Sequence, residues 1–314
     1  MPLLHVNATK SGVDLHESRH GLYHALDTAL TTPGPVIIMI HGFKFAPGVA
    51  GHCPHDHILS ADDSNTCWKA LSWPRALGFG AGHAQEGLGI AFGWEARGTI
   101  WSAYAQAERV GLQLADLIRM IRRIAPKKDI HLFGHSLGAR VALSALPHVG
   151  AGDVRRLILL AGAEYGRRAE AALDTPAGRT AEVVNISSRE NDVYDFMLER
   201  FIAPSERGDT TLAHGLRPAR GRVTIQIDHA ETLDCLRRAG FDIAAPNARV
   251  CHWSCYLRPG VFDLYSALMR EPENPTLAQL RAALPEAPEP RWSRMLALPQ
   301  PRGWGWAGRG AAAP

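Results

Sequence analysis

The sequence predicts an α/β protein: a predominantly parallel sheet flanked by helices, with a long insertion. Three observations predict it. Six short runs of aliphatic and β-branched residues recur along the chain, separated by helical or long segments, which is the alternation that builds a helix-covered parallel sheet. One segment between them, Ile100 to Ala125, carries a continuous helical apolar stripe. A Gly134-His135-Ser136-Leu137-Gly138 turn then joins an apolar run to a stretch of small and apolar residues.

Taken in order, the first 32 residues are the least regular; Val13, Leu15 and the 22–26 segment fit short strands or a helix leading into the core. Val36-Ile37-Ile38-Met39-Ile40 reads as a strand buried on both faces and ends at His41-Gly42-Phe43. Residues 44–88 are rich in Gly, Pro, His and Asp, and a structureless loop of that length is uncommon, so a partly helical insertion over the site is expected. Gly89 to Trp94 is the second strand. In the helix that follows, Val110, Leu114, Leu117, Ile118, Ile121 and Ile124 recur at helical spacing, and Pro126 stops it. Further strands are expected at Ile130–Phe133, Leu157–Ala161, Val183–Ser187 and Arg222–Asp228. Helices are expected from Leu137 to near Pro147, over 192–203 and over 276–284. Residues 1–285 read as one domain and 286–314 as a Pro/Gly-rich tail. Its last 15 or so residues are expected to be poorly ordered unless Trp304 and Trp306 dock.

Composition narrows the classes. In 314 residues, 46% are hydrophobic and 21% charged, as in ordinary globular proteins, and the net charge is only +3. The arginine pairs are scattered and no lysine-rich run exists, so nucleic-acid binding has no support. No apolar run approaches the roughly 18 residues of a membrane span. The N-terminus lacks the basic and apolar regions of a signal peptide, and the five cysteines show no pairing pattern. A reduced, cytoplasmic protein is the expectation. No P-loop or dinucleotide signature gives a kinase or oxidoreductase reading a foothold.

The 134–138 turn has the layout of a nucleophile elbow, in which a sharp strand-to-helix turn lifts one hydroxyl out of the sheet. Ser136 is the candidate nucleophile. A serine hydroxyl needs an adjacent base, and the base an orienting acid, so both are sought beyond later strands. Asp192, in a polar loop after the 183–187 strand, is the candidate acid, with Asp195 and Glu190 as fallbacks. Two histidines compete as base: His229, directly after the last strand, and His252, in Val250-Cys251-His252-Trp253. Periodicity does not choose between them. The backbone N–H of Leu137 is the expected first donor of an oxyanion hole. His52, Cys53, His55 and His57 are zinc-competent, but their spacing matches no familiar site; no metal or other cofactor is expected, and a polar loop contacting substrate is. Trp68, Trp73 and Phe79 either line an acyl pocket or pack the insertion onto the body.

Through Gly134–Gly138, the His41-Gly42 turn and the order Ser, Asp, His, the chain resembles the α/β-hydrolase superfamily. Over about residues 33–270 it is similar to bacterial serine-esterase-like hydrolases, in which the acid sits in an S-x-x-D loop and the base in an H-x-x-Y segment before an apolar helix. Ser188 to Asp192 and His252 to Tyr256 each carry one residue more than those spacings, while Val261-Phe262-Asp263-Leu264-Tyr265 agrees with the helix. The resemblance implies an α/β-hydrolase fold with the insertion near the active site, His252 as the base and Phe43 N–H as the second oxyanion donor. His41 is then structural. The implied activity is hydrolysis of a small-molecule ester or lipid through a Ser136-His252-Asp192 triad. The alternatives are thioester or amide chemistry, acyl transfer, or a non-catalytic binding protein.

Overall fold

A computed structural model describes residues 3–18, 21–62, 67–271, 273–286 and 288–296. Eight strands form one sheet: β1 (Leu3–Thr9), β2 (Gly12–Leu15), β3 (Val36–Ile40), β4 (Leu88–Gly93), β5 (Ile130–His135), β6 (Arg156–Leu160), β7 (Glu182–Ser187) and β8 (Arg222–Gln226). Their spatial order is β2-β1-β4-β3-β5-β6-β7-β8, and every neighbouring pair is parallel except β1 with β2. The six expected strands are β3 to β8. The first two lie in the segment whose sequence was least regular, and the physical reason is their position. Near the sheet edge β1 buries only Val6 completely, so its residues alternate without a continuous apolar run.

The long helices flank this sheet: α1 (Leu22–Ala29), α3 (Ile100–Ile124), α4 (Leu137–Ala145), α5 (Gly166–Leu173) and α7 (Asp192–Phe201), then α8 (Ala230–Arg238), α10 (Val261–Arg270) and α11 (Leu277–Ala283). Shorter turns of helix are α2 (Trp73–Ala76), α6 (Pro176–Thr180), α9 (Ser254–Leu257) and α12 (Ser293–Leu296). Alternation along the central strands divides the core in two. Val36, Ile38 and Ile40 of β3 pack with the α3 stripe and with Val141 and Ala142 of α4. Ile37 and Met39 face the opposite side, with Trp73, Phe133 and Tyr265. Helix α3 begins with a capping box at Thr99 and Ser102, and its last hydrogen bond closes at Ala125, just before Pro126. Among the described residues, no helix is long and apolar enough to cross a membrane, and Cys53, Cys67, Cys235, Cys251 and Cys255 form no disulfide.

The insertion between β3 and β4 carries little regular structure, chiefly a 3₁₀ turn at Pro54–Asp56 and the single turn α2. Trp73 and Phe79 are buried and pack it onto the body; the Trp73 ring meets those of Phe133 and Tyr256 edge-on at 5.2 and 5.3 Å. Part of the predicted tail is also tied down. Arg291 pairs with Glu199 of α7 at 2.9 Å, and the Trp292 ring lies 5.7 Å from that of Phe196. Trp304 and Trp306 lie outside the described residues.

One buried ionic network braces the helix that follows β5. Arg140 of α4 is 1% exposed; its Nε donates to the Tyr104 carbonyl of α3 at 2.8 Å, and its other nitrogens reach Glu108 and Glu164. Glu164 also accepts from the Tyr104 hydroxyl and the Tyr165 N–H, at 2.5 and 2.7 Å. Removing the guanidinium strands a buried carboxylate, so Arg140→Ala is expected to destabilise the fold by about 3–5 kcal/mol. Urea unfolding of the two proteins at pH 7 measures this, and a loss below about 1 kcal/mol contradicts a load shared through Arg140.

Candidate active site

The turn after β5 carries Ser136 at φ 56° and ψ −121°, a backbone conformation that is costly for any residue with a Cβ. The surrounding chain enforces it. The Ser136 N–H donates to the Leu160 carbonyl at 2.9 Å, and the Ser136 carbonyl accepts from the N–H groups of Ala139 and Ala163 at 3.1 and 3.0 Å. Glycine is required where this turn meets the end of β3. A Cβ on Gly138 would stand 2.2 Å from the Ile40 carbonyl oxygen, and one on Gly42 would stand 2.9 Å from Cβ of Ser136. The two turns therefore sit directly against each other.

This contact brings two backbone donors to the serine. The Lys44 N–H is committed to the Ala96 carbonyl at 2.9 Å, whereas among the described residues no acceptor takes the N–H groups of Phe43 or Leu137. His41 props the turn from behind. Its Nε2 accepts from the Trp94 N–H at 3.0 Å, the Trp94 indole donates to the His41 carbonyl at 3.0 Å, and the two rings stack. Burial pushes its imidazole down to about 4, so it is neutral and can accept that bond.

Ser136, Leu137, Phe43, Asn191, Asp195 and His252 line one cavity of about 830 Å³. His252 comes from the loop before α9, and the turn after β7 supplies what holds that loop. The Cys251 N–H donates to the Glu190 carbonyl at 2.8 Å, and the buried Glu190 carboxylate takes Arg258 at 2.5 Å and the Ala248 N–H at 3.3 Å. His135, next to the serine, donates from Nε2 to the His252 carbonyl at 3.1 Å. The His252 ring stacks on Tyr194, with centroids 4.6 Å apart.

The partner of His252 is Asn191. Nδ1 of His252 lies 2.6 Å from Oδ1 of Asn191, while Nδ2 of Asn191 donates to Oδ1 of Asp195 at 2.9 Å. Asp195 thus decides which way the amide points. With its oxygen toward the ring, Nδ1 carries the hydrogen and Nε2 is left as an acceptor. Burial pushes His252 well below the ordinary histidine value, and the nearby His135 and Lys69 add to this. Burial pushes the Asp195 carboxyl up to about 7 against the opposing pull of Arg291 and the Asn191 amide.

The expected acid is corrected here, and the alternative base lies elsewhere. Asp192 does not meet His252: its buried carboxylate accepts from Arg189 at 3.2 Å and from the Trp292 N–H at 2.5 Å. The reason is helical rotation. Asn191 and Asp192 are consecutive at the start of α7, so their side chains leave the axis about 100° apart. His229 caps α8, bonds Thr232 at 3.2 Å, and borders a different cavity with Thr224 and Arg281. The fallback Glu190 holds the loop. Asn191 was missed because an amide does not resemble an acid, although the four-residue spacing to Asp195 placed both on one helical face.

The His-rich segment is divided by the fold. His52 and His57 border the serine cavity, whereas His55 turns away and lies 4.7 and 4.3 Å from the rings of His5 and His16, with Nε2 2.7 Å from Oδ1 of Asn7. Among the described residues, no group of three or more His, Cys, Asp or Glu could hold a metal ion.

A mostly parallel sheet between helices, with a strained serine at the strand-to-helix turn after its fifth strand, defines an α/β hydrolase in the structural sense. Residues 21–162 of the chain match the family described as "Alpha/beta hydrolase of unknown function (DUF900)". Among solved structures, the chain is similar to the Bacillus licheniformis lipase BlEst2 at 12% identity and a TM-score of 0.41, covering 82% of this chain and 96% of that one. A Trichoderma reesei cutinase is 16% identical with a TM-score of 0.25, covering 46% of this chain and 64% of the cutinase. A lipase-esterase related protein from Clostridium acetobutylicum is 12% identical with a TM-score of 0.25, over 50% and 75% of the two chains. Values this low say nothing about substrate. The comparison with curated proteins finds no match.

Proposed function

We propose that the chain is a serine hydrolase that cleaves a carboxylic ester, with Ser136 as nucleophile, His252 as base, and Asn191 rather than Asp192 orienting the imidazole. The observation that carries this reading is the ordered relay from His252 through Asn191 to Asp195, on the wall of the cavity that holds the strained serine. In the proposed reaction Oγ of Ser136 bonds to the ester carbonyl carbon as its proton passes to Nε2 of His252. The oxygen of the tetrahedral intermediate is held by the N–H groups of Phe43 and Leu137. His252 then returns the proton to the departing alcohol, and a water activated by the same nitrogen releases the acid from the acyl-enzyme.

Labelling with a fluorophosphonate tests the nucleophile, run beside a panel of p-nitrophenyl esters of rising chain length. The wild-type chain is expected to label and turn over at least one ester, and Ser136→Ala to do neither. Equal labelling of the two proteins removes Ser136 from the mechanism, and a wild-type chain that neither labels nor turns over leaves the fold to a binding role.

A further inference from the structure

We propose that the substrate is an ester carrying an anionic carboxylate or phosphate group, held between Lys44 and Lys69 while its apolar chain lies along Ile100, Trp101 and Phe201. This deepens the hydrolase reading and rests on it. The cavity wall carries its cations on one side, interleaved there with Phe43, Phe45 and Ile58. The side formed by α3 and α7 offers Ile100, Trp101, Leu198 and Phe201, whereas the side formed by the β3 turn and the insertion offers Lys44, Lys69 and His57.

Lys69 is the informative residue. It is only partly exposed, and its ammonium sits 3.5 Å above the Trp253 ring and 5.0 Å from that of Trp68. Aromatic faces hold it in place, but among the described residues no carboxylate pairs with it or with Lys44. Beside it, Nδ1 of His57 is buried with no hydrogen-bond partner among the described residues. The carboxyl group on the wall, Asp195, is occupied by Asn191 and is deeply buried, so it does not neutralise this side. A half-desolvated cation with no counter-ion among the described residues, next to a ring nitrogen with no partner among them, is complementary to an anion. Its charge also acts on the base: Lys69 contributes to holding His252 down, and an anion bound to it would restore basicity when substrate is present.

Matched esters test this with the full chain. Mono-p-nitrophenyl adipate against p-nitrophenyl adipamate puts the charge on the acyl side. The hexanoyl ester of 4-hydroxybutyrate against that of 4-hydroxybutyramide puts it on the alcohol side. Hexanoyl glycerol phosphate against monohexanoylglycerol tests phosphate. In at least one pair the anionic member is expected to have kcat/KM about tenfold above the neutral one, the factor supplied by one partly desolvated ion pair. That ratio should fall toward one with added salt and in Lys44→Met/Lys69→Met. A ratio at or below one in all pairs overturns the proposal, as does a ratio that the double variant leaves intact. If the wild-type chain hydrolyses none of these esters, the hydrolase reading has failed separately, and calorimetric binding to Ser136→Ala decides the anion site. Tighter binding of the anionic members, abolished by the two lysine substitutions, sustains it; equal binding removes it.

Discussion

Alanine at position 252 is expected to lower kcat/KM for ester hydrolysis by about 10⁴-fold, while His229→Ala stays within about twofold. The asymmetry follows from placement. His252 shares the cavity with Ser136 and presents a free Nε2 because its Nδ1 hydrogen is committed to Asn191. His229 is a helix cap bordering another cavity. Steady-state kinetics on both variants with one p-nitrophenyl ester measure this. A large loss in His229→Ala with His252→Ala near wild type would return the base to the end of β8.

The second expected result concerns an amide where an acid was expected. Asn191→Leu should lose about 10³-fold in kcat/KM, because nothing then selects the tautomer with Nε2 free. The pH profile separates this from a packing effect. His252 is held well below the ordinary histidine value, so it is already neutral near pH 7 and its titration contributes no limb there. Asp195 is different: burial raises its carboxyl to about 7, with Arg291, the Asn191 amide and Arg189 pulling it down and Asp192 pushing it up. Its ionisation places a negative charge behind Asn191 and so stabilises the imidazolium that forms as Ser136 attacks. Activity should therefore rise by about tenfold through pH 7, and the limb should vanish in Asp195→Asn. Stability carries the opposite sign. The folded protein holds this proton more tightly than the unfolded chain does, so the contribution is complete below about pH 4 and is lost as pH rises toward 7. Denaturation midpoints of the two proteins at pH 5 and pH 8 should show Asp195→Asn gaining on wild type at the higher pH. A limb near pH 7 that persists in Asp195→Asn assigns it to another group.

Much of the architecture was legible because buried parallel strands have nowhere to place polar side chains. Val36–Ile40 and Leu157–Leu160 are apolar at every position, and each lies where its sequence reads. The helix over 100–124 announced itself by its stripe and its proline stop. The edge strand β2 and its neighbour β1 did not, since Val6 is the one residue of the two strands that is fully buried and so little hydrophobicity is asked of them. The insertion was recognisable as a departure from the pattern, but its irregular path over the cavity follows from Trp73 and Phe79 packing onto the body and from His55 docking on β1 and on His16 just after β2.

For the site, the sequence by itself determined the elbow: two glycines around Ser136, a strand before and a helix after, with Gly42 ready to abut it. Those are local requirements, because backbone sterics at a strained turn dictate which residues can stand there. Only the tertiary structure decided which histidine and which polar side chain complete the arrangement. Asn191 and Asp192 are one residue apart, and His252 lies 61 positions beyond Asn191 along the chain, so the choice depends on helix rotation and on loop anchoring by Glu190 and Arg258. A partner chosen by direction in space, between elements distant along the chain, leaves no local trace in the order of the residues.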